Sequence, residues 1–221
     1  MLVSNGLLCH RFEENIREGV PRLGRHLVLD ARSLAYTIED KIAQWDWAVP
    51  IKPAEHLPAI GVIDQGRLGS CTGNAGTYAV SALYGATGLA SVHLDGQSLS
   101  PADAARDERF AVALYHEATL DDGFPGTYPP DDTGSSGLGV CRALKAAGLI
   151  DRYTWAVGLH GLATLLQRGG VMIGTPWYNA FFQPDAHGFI DSDPHWQNSG
   201  IAGGHEVFVE ALAAWDAMDP S

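Results

Sequence analysis

Cys71 stands at a junction. The stretch "DQGRLGSCTGNA", residues 64–75, passes through Gly66, Gly69 and Ser70, which break the backbone, and then reads as helix from the cysteine onward. A helix N-terminus carries about half an elementary positive charge and several amides without intrahelical partners, so a thiol placed there is biased toward the thiolate, which is the nucleophilic form. Such a nucleophile needs an imidazole to take and return its proton, and donors for the oxyanion that forms when a carbonyl is attacked. His205, in "GGHEVFV", sits at a glycine-to-strand junction 134 residues beyond Cys71. Gln65 lies six residues before Cys71, where a turn would bring its amide beside the Cys71 backbone amide. No other cysteine and histidine of the chain come in such settings: Cys141 falls on the apolar side of a short helix with Leu138 and Leu144 and reads as core, and Cys9 also reads as structural.

The elements that must hold these residues follow from periodicity and punctuation. Residues 1–45 show no sustained period and read as an N-terminal extension, either loosely attached or laid over the cleft. Pro50, Pro53 and Pro58 exclude a long helix before the cysteine, so the folded body is expected to begin near Trp47. From Cys71, Ala75, Tyr78, Ala79, Ala82 and Leu83 recur as one helix face, with Gly85 or Gly88 as the stop. A second helix is expected with Ser100 as N-cap, Pro101 in its first turn, Asp103 answering the exposed amides three residues on, and an end near Thr119. Ser136 opens a short helix that Gly148 stops, and "HGLATLLQR" is another. "GVMIGTPWY" and "GGHEVFVEALAAW" read as strands. Helices first and strands second predict an α+β fold with segregated layers.

Composition bounds the function classes. A net charge of -12 opposes sequence-independent binding of nucleic acid, which requires a basic face. The N-terminus lacks the pattern of a secretory signal, and no stretch is apolar enough to span a membrane. Three widely spaced cysteines fit a reducing, cytoplasmic setting. His187, Asp191, Asp193 and His195 contain metal-ligand types but read as a polar loop, and "GRLG" is no dinucleotide fingerprint, so neither a metal nor another cofactor is expected. The pairs Asp121-Asp122 and Asp131-Asp132 read as solvated loop residues, and Trp155, Trp177 and Trp196 as packing or cleft residues.

Taken together, "DQGRLGSCTGNA", "LSP" at 99–101, "DTGSSG", "RALKAAGLI" and "GGHEVFVEAL" resemble the papain-type cysteine peptidases, in the bacterial and phage branch that has Thr after the nucleophile. The separation of Cys71 and His205 agrees with the ~130–150 residues of that family. The resemblance covers about residue 47 to the end. It implies a two-lobe fold, with a helical lobe over about 60–150 and a strand-rich, incomplete β-barrel lobe over about 151–221. Cys71 would be the nucleophile, His205 the base and then the acid, and Gln65 the oxyanion donor. Gly134, Ser135 and Ser136 would border the substrate cleft, with Gly69, Ser70 and Gly204 as further substrate-binding positions. The substrate would be a peptide or protein. The family's Asn-Ser-Trp-Gly segment, which orients the imidazole, has no counterpart: the sequence closes with "AAWDAMDPS", and Asn198, Asp216 and Asp219 do not match it. A partner chain or a further C-terminal segment is therefore expected to complete the β lobe. Two other readings stay open: a binding or structural module without turnover, for instance in a phage particle, and thiol chemistry on another acyl group, as in an acyltransferase or a cell-wall peptide amidase.

Overall fold

A computed structural model describes residues 23–28, 30–38 and 50–213. Cys9, Trp47, Asp216 and Asp219 lie outside the described residues. The elements run β1 (Ala54–Glu55), α1 (Cys71–Gly88), β2 (His93–Leu94), β3 (Gln97–Ser98), α2 (Ala104–Asp121), α3 (Gly137–Ala146), α4 (Leu159–Leu166), β4 (Val171–Tyr178), β5 (Ile201–Val209) and β6 (Ala211–Leu212). The fold is α+β, helices preceding the main strands. Among the described residues the strands form three antiparallel two-stranded ribbons, β1 with β6, β2 with β3 and β4 with β5, and no closed barrel. No helix among them is long and apolar enough to cross a membrane.

One hydrophobic cluster sits among α1, α2 and α3, with Val80, Phe110, Leu114, Val140 and Leu144 at its centre. A smaller one joins Ala163 and Leu166 of α4 to Val209 and Leu212. The expected face of α1 holds in part, with Ala75 buried and Tyr78 packed on the core, but Gly73, Gly76, Thr77, Val80 and Ser81 are buried as well, whereas Leu83 is 65% exposed. Small residues decide this. A methyl group on Gly73 would run into the Ala111 carbonyl and lie 2.9 Å from Tyr115 Cβ, so α2 approaches closer than an apolar stripe would allow. Gly85 does not end α1 but kinks it, with φ 61° and ψ 175°. The second helix starts at Ala104 rather than at Ser100, because Asp103 is its N-cap and accepts from the Arg106 N–H at 3.0 Å. Ser136 caps α3 as expected, accepting from Gly139 N–H at 3.1 Å, and Cys141 is buried in the core.

The start of α1 is tied to α2 through a polar network. Ser70 Oγ donates to Asn74 Oδ1 at 3.0 Å, and Asn74 Nδ2 donates to Glu108 Oε2 at 2.9 Å. Burial pushes the Glu108 carboxyl up to about 7, with the Asn74 hydrogen bond opposing the shift. A raised carboxyl pKa means that the folded chain holds a proton the unfolded chain has released. This group's contribution is therefore intact below pH 4.5 and lost as pH rises toward 7. Glu108→Gln should raise the melting temperature at pH 8, by the equivalent of up to about 3 kcal/mol, and change it little at pH 4.5. Thermal melts of both proteins at the two pH values check this; an equal effect at both would contradict it.

Candidate active site at the start of α1

The turn leading into Cys71 is locked locally. Asp64 Oδ1 accepts from Gly66 N–H at 2.8 Å, Gly66 takes φ 58°, and Leu68 N–H donates to the Gln65 carbonyl at 3.1 Å. Gln65 Nε2 returns a hydrogen bond to the Leu68 carbonyl at 2.9 Å, which folds its amide onto the turn that delivers the cysteine. Gly69 N–H then donates to both oxygens of Asp132, at 3.0 and 3.1 Å, and Tyr115 Oη donates to Asp132 Oδ1 at 2.9 Å. Tyr115 Oη also accepts from Gly134 N–H at 2.8 Å. Asp132 and Tyr115 thus clamp the Gly69 turn to the Gly134 loop. Asp132 is not the solvated loop residue expected, and neither is Asp122, which is 2% exposed and accepts from Phe124 N–H. Asp132→Ala should cost about 2 kcal/mol of stability, read as a lowered urea midpoint, because the Gly69 amide and the Tyr115 hydroxyl lose a charged acceptor. Asp132→Asn, which keeps one oxygen, should lose less; equal losses would argue against the clamp.

Cys71 is the first residue of α1, and its sulfur faces β5. Backbone amides of Glu206, Gly24 and Thr72 lie close enough to favour its thiolate. The structure thereby brings Cys71 against the residue that follows His205. His205 itself is 4% exposed and meets the Trp177 ring edge-on, at 4.6 Å between centroids. β4 and β5 hold that arrangement, with Thr175 paired to His205 and Trp177 to Gly203. Asn198 sits apart in sequence in the turn 196–199, its N–H donating to the His195 carbonyl.

The cleft beside Cys71 is filled by the chain itself. Residues 23–26 run along it in extended contact with three glycine-lined walls. Arg25 N–H donates to the Gly204 carbonyl at 3.1 Å, His26 N–H to the Ser135 carbonyl at 3.0 Å, and Ser135 N–H to the Gly24 carbonyl at 2.7 Å. Gly24 lies on Gly69 so closely that a methyl group on it would overlap the Gly69 carbonyl. A methyl on Gly134 would overlap the Gly24 carbonyl, and one on Gly204 the Arg25 carbonyl. Of the substrate-binding positions expected, Gly69, Gly134, Ser135 and Gly204 therefore touch this segment. The other two turn their hydroxyls elsewhere. Ser70 turns its hydroxyl to Asn74, and Ser136 spends its hydroxyl on the α3 cap.

Electrostatics in the filled cleft differ from those expected for a helix-start cysteine. Burial pushes the Cys71 thiol up to about 12, overriding the amides that favour the thiolate. Burial likewise lowers His205 to about 4, so at neutral pH Cys71 is a thiol and His205 a neutral imidazole. Desolvation of the fully covered sulfur outweighs the partial charges of the helix start, worth about 1 kcal/mol. Glu206, next to the histidine, has a side chain 3% exposed and accepts from Arg25 Nε at 2.6 Å. Burial raises its carboxyl, and the Arg25 guanidinium opposes that.

The other candidates assemble nothing comparable. Among the described residues no group of three or more His, Cys, Asp or Glu side chains gathers in a way that would hold a metal. Asp185 and Asp193 instead close local turns, each accepting from the N–H two residues on, and Trp196 packs on Tyr178 and Phe181. Sequence reasoning missed Gly24, Arg25, Asp132 and Glu206. Of these only Glu206 carries a legible signal, a carboxylate inside the apolar strand "HEVFV". Compared with family models, with curated proteins and with solved structures, the chain finds no match in any of the three.

Proposed function

We propose that this chain is a cysteine-type peptidase of papain-like, two-lobe architecture, held closed by its own residues 23–26. The observation that carries this reading is a peptide backbone lying in a glycine-walled groove, paired to Gly204 and Ser135, with the Cys71 sulfur against its Gly24 amide. A groove that binds extended main chain beside a thiol is what hydrolysis of a peptide amide needs. In the open enzyme Cys71 Sγ attacks the carbonyl carbon of a substrate amide while His205 takes the thiol proton. The oxyanion rests on the Cys71 backbone amide and the Gln65 side chain. Collapse breaks the C–N bond, and His205 delivers its proton to the leaving nitrogen, which leaves a thioester on Cys71. Water, deprotonated by His205, attacks that thioester, releases the carboxylic acid, and the proton returns to sulfur.

The resident segment is held on the groove walls by main-chain pairing, its Gly24 carbonyl accepting from Ser135 N–H at 2.7 Å and its Arg25 N–H donating to the Gly204 carbonyl at 3.1 Å. In this reading residues 23–26 fill the groove as an inhibitor.

Turnover of a fluorogenic peptide library by full-length Gly24→Val, whose added side chain cannot fit against Gly69, tests the proposal. Cleavage that disappears in Gly24→Val with Cys71→Ser supports it. Absence of cleavage across the library, or cleavage that survives Cys71→Ser, would leave the binding-module reading, which the protonated thiol and neutral imidazole of the closed cleft favour.

A further inference from the structure

Arg25 enters a pocket whose parts share no other evident purpose. Its Nε donates to Glu206 Oε2 at 2.6 Å, its Nη1 donates to the His26 carbonyl at 2.9 Å, and its backbone N–H is held by Gly204. Glu206 is a buried carboxylate on β5, directly opposite Gly174 on β4. Opposed residues of an antiparallel pair project to the same face, so the missing side chain at Gly174 opens space above the Glu206 carboxylate. The guanidinium fills that space: a methyl group on Gly174 would overlap Arg25 Nε and Cζ. On the other side, a methyl on Gly137 would lie 2.8 Å from Glu206 Oε1 and 3.3 Å from the Trp155 ring. Two absent side chains thus shape a slot around one buried negative charge.

Neither feature is what a strand pair needs for its own stability. Glycine inside a strand weakens it and commonly marks the close approach of another group, and a carboxylate buried without a cation is costly. Both make sense if a cationic side chain is to be received. The guanidinium uses two of its nitrogens at once, Nε on Glu206 and Nη1 on the His26 carbonyl, which a lysine ammonium, a single point charge, does not reproduce in the same fixed geometry.

Building on the peptidase reading, we propose that Gly174 and Glu206 form a specificity pocket for an arginyl side chain of the peptide substrate, and that Arg25 fills it as an intramolecular stand-in. Substrates would be peptides that place arginine next to the residue lying over Cys71, as Arg25 follows Gly24.

Binding tests this without requiring turnover. The full-length chain carrying Gly24→Val, Arg25→Ala and Cys71→Ser vacates the groove and cannot cleave. Calorimetry would measure its affinity for the acetylated, amidated peptide Leu-Gly-Arg-His and for the same peptide with citrulline in place of arginine. Citrulline keeps the shape and loses the charge, so its peptide should bind at least about tenfold more weakly, as expected for the loss of a charge-assisted hydrogen bond. Adding Glu206→Gln should erase that preference. Should Glu206→Gln fail to fold, Gly174→Ala keeps the carboxylate and obstructs the slot, and it should weaken the arginine peptide selectively. Equal affinity for both peptides, or a preference that survives both substitutions, overturns the pocket. The two proposals fail separately: an arginine preference in a chain whose cysteine-intact form cleaves nothing sinks the peptidase reading and supports the pocket, whereas cleavage without an arginine preference does the reverse.

Discussion

Replacing Gly24 by valine should raise the rate at which iodoacetamide alkylates Cys71 at pH 7.5 by about a thousandfold. Burial holds the thiol up to about 12, so almost none of it is ionised at neutral pH, and residues 23–26 lie on that buried side through Gly24. Gly24 is the tightest point of that cover, since even a methyl there would overlap the Gly69 carbonyl, and valine forces the segment out. An uncovered cysteine at a helix start then falls to ~8.5 or below, which raises the ionised fraction by three or more powers of ten. Mass spectrometry of the peptide containing Cys71 separates this signal from Cys9 and Cys141. A wild-type rate already equal to that of Gly24→Val would mean that the segment does not cover the thiol in solution.

His205 carries the second large effect. In the Gly24→Val background, His205→Ala should lower peptide turnover by about a thousandfold or more, and should remove whatever alkylation persists below pH 7. Without an imidazole to take the proton, Cys71 depends on its own ionisation, so its rate should follow a single titration near ~8.5. Persistence of rapid alkylation at pH 5 in the His205→Ala form would show that the helix start alone activates the thiol. The same residue leaves a mark on stability in the closed chain. Its pKa is lowered from 6.5 to about 4, so between those values the unfolded chain binds a proton that the folded chain refuses. Stability from this group is intact above pH 6.5 and is lost as pH falls toward 4. Glu108 acts in the opposite direction across nearly the same range, so the two offset each other in the wild type and appear singly in Glu108→Gln and in His205→Asn.

Much of the local structure was legible. The start of α1 at Cys71, the Ser136 cap, the stop after α3 near Gly148 and the two long strands follow from backbone punctuation and short-range periodicity, which act within a few residues and so are written in consecutive sequence. The second helix started late because Asp103 competes with Ser100 for the cap and wins through its carboxylate. The buried face of α1 was misjudged for a different reason. Gly73 and Gly76 carry no hydrophobic signal, yet closeness of α2 is what buries them.

The sequence by itself determined the chemical parts: a cysteine at a helix start, a glutamine-bearing turn before it, and a histidine at the head of a strand in a chain whose helices precede its strands. Only the tertiary structure decided their state. Residues 23–26 cross the molecule to lie beside a cysteine more than forty positions away, and burial at that place reverses the thiol's expected ionisation. It also decided that Asp132 clamps two loops and that Glu206 meets Arg25 across 181 positions. Desolvation and long-range pairing depend on which surfaces come to face each other, and residue type and spacing along the chain do not encode that.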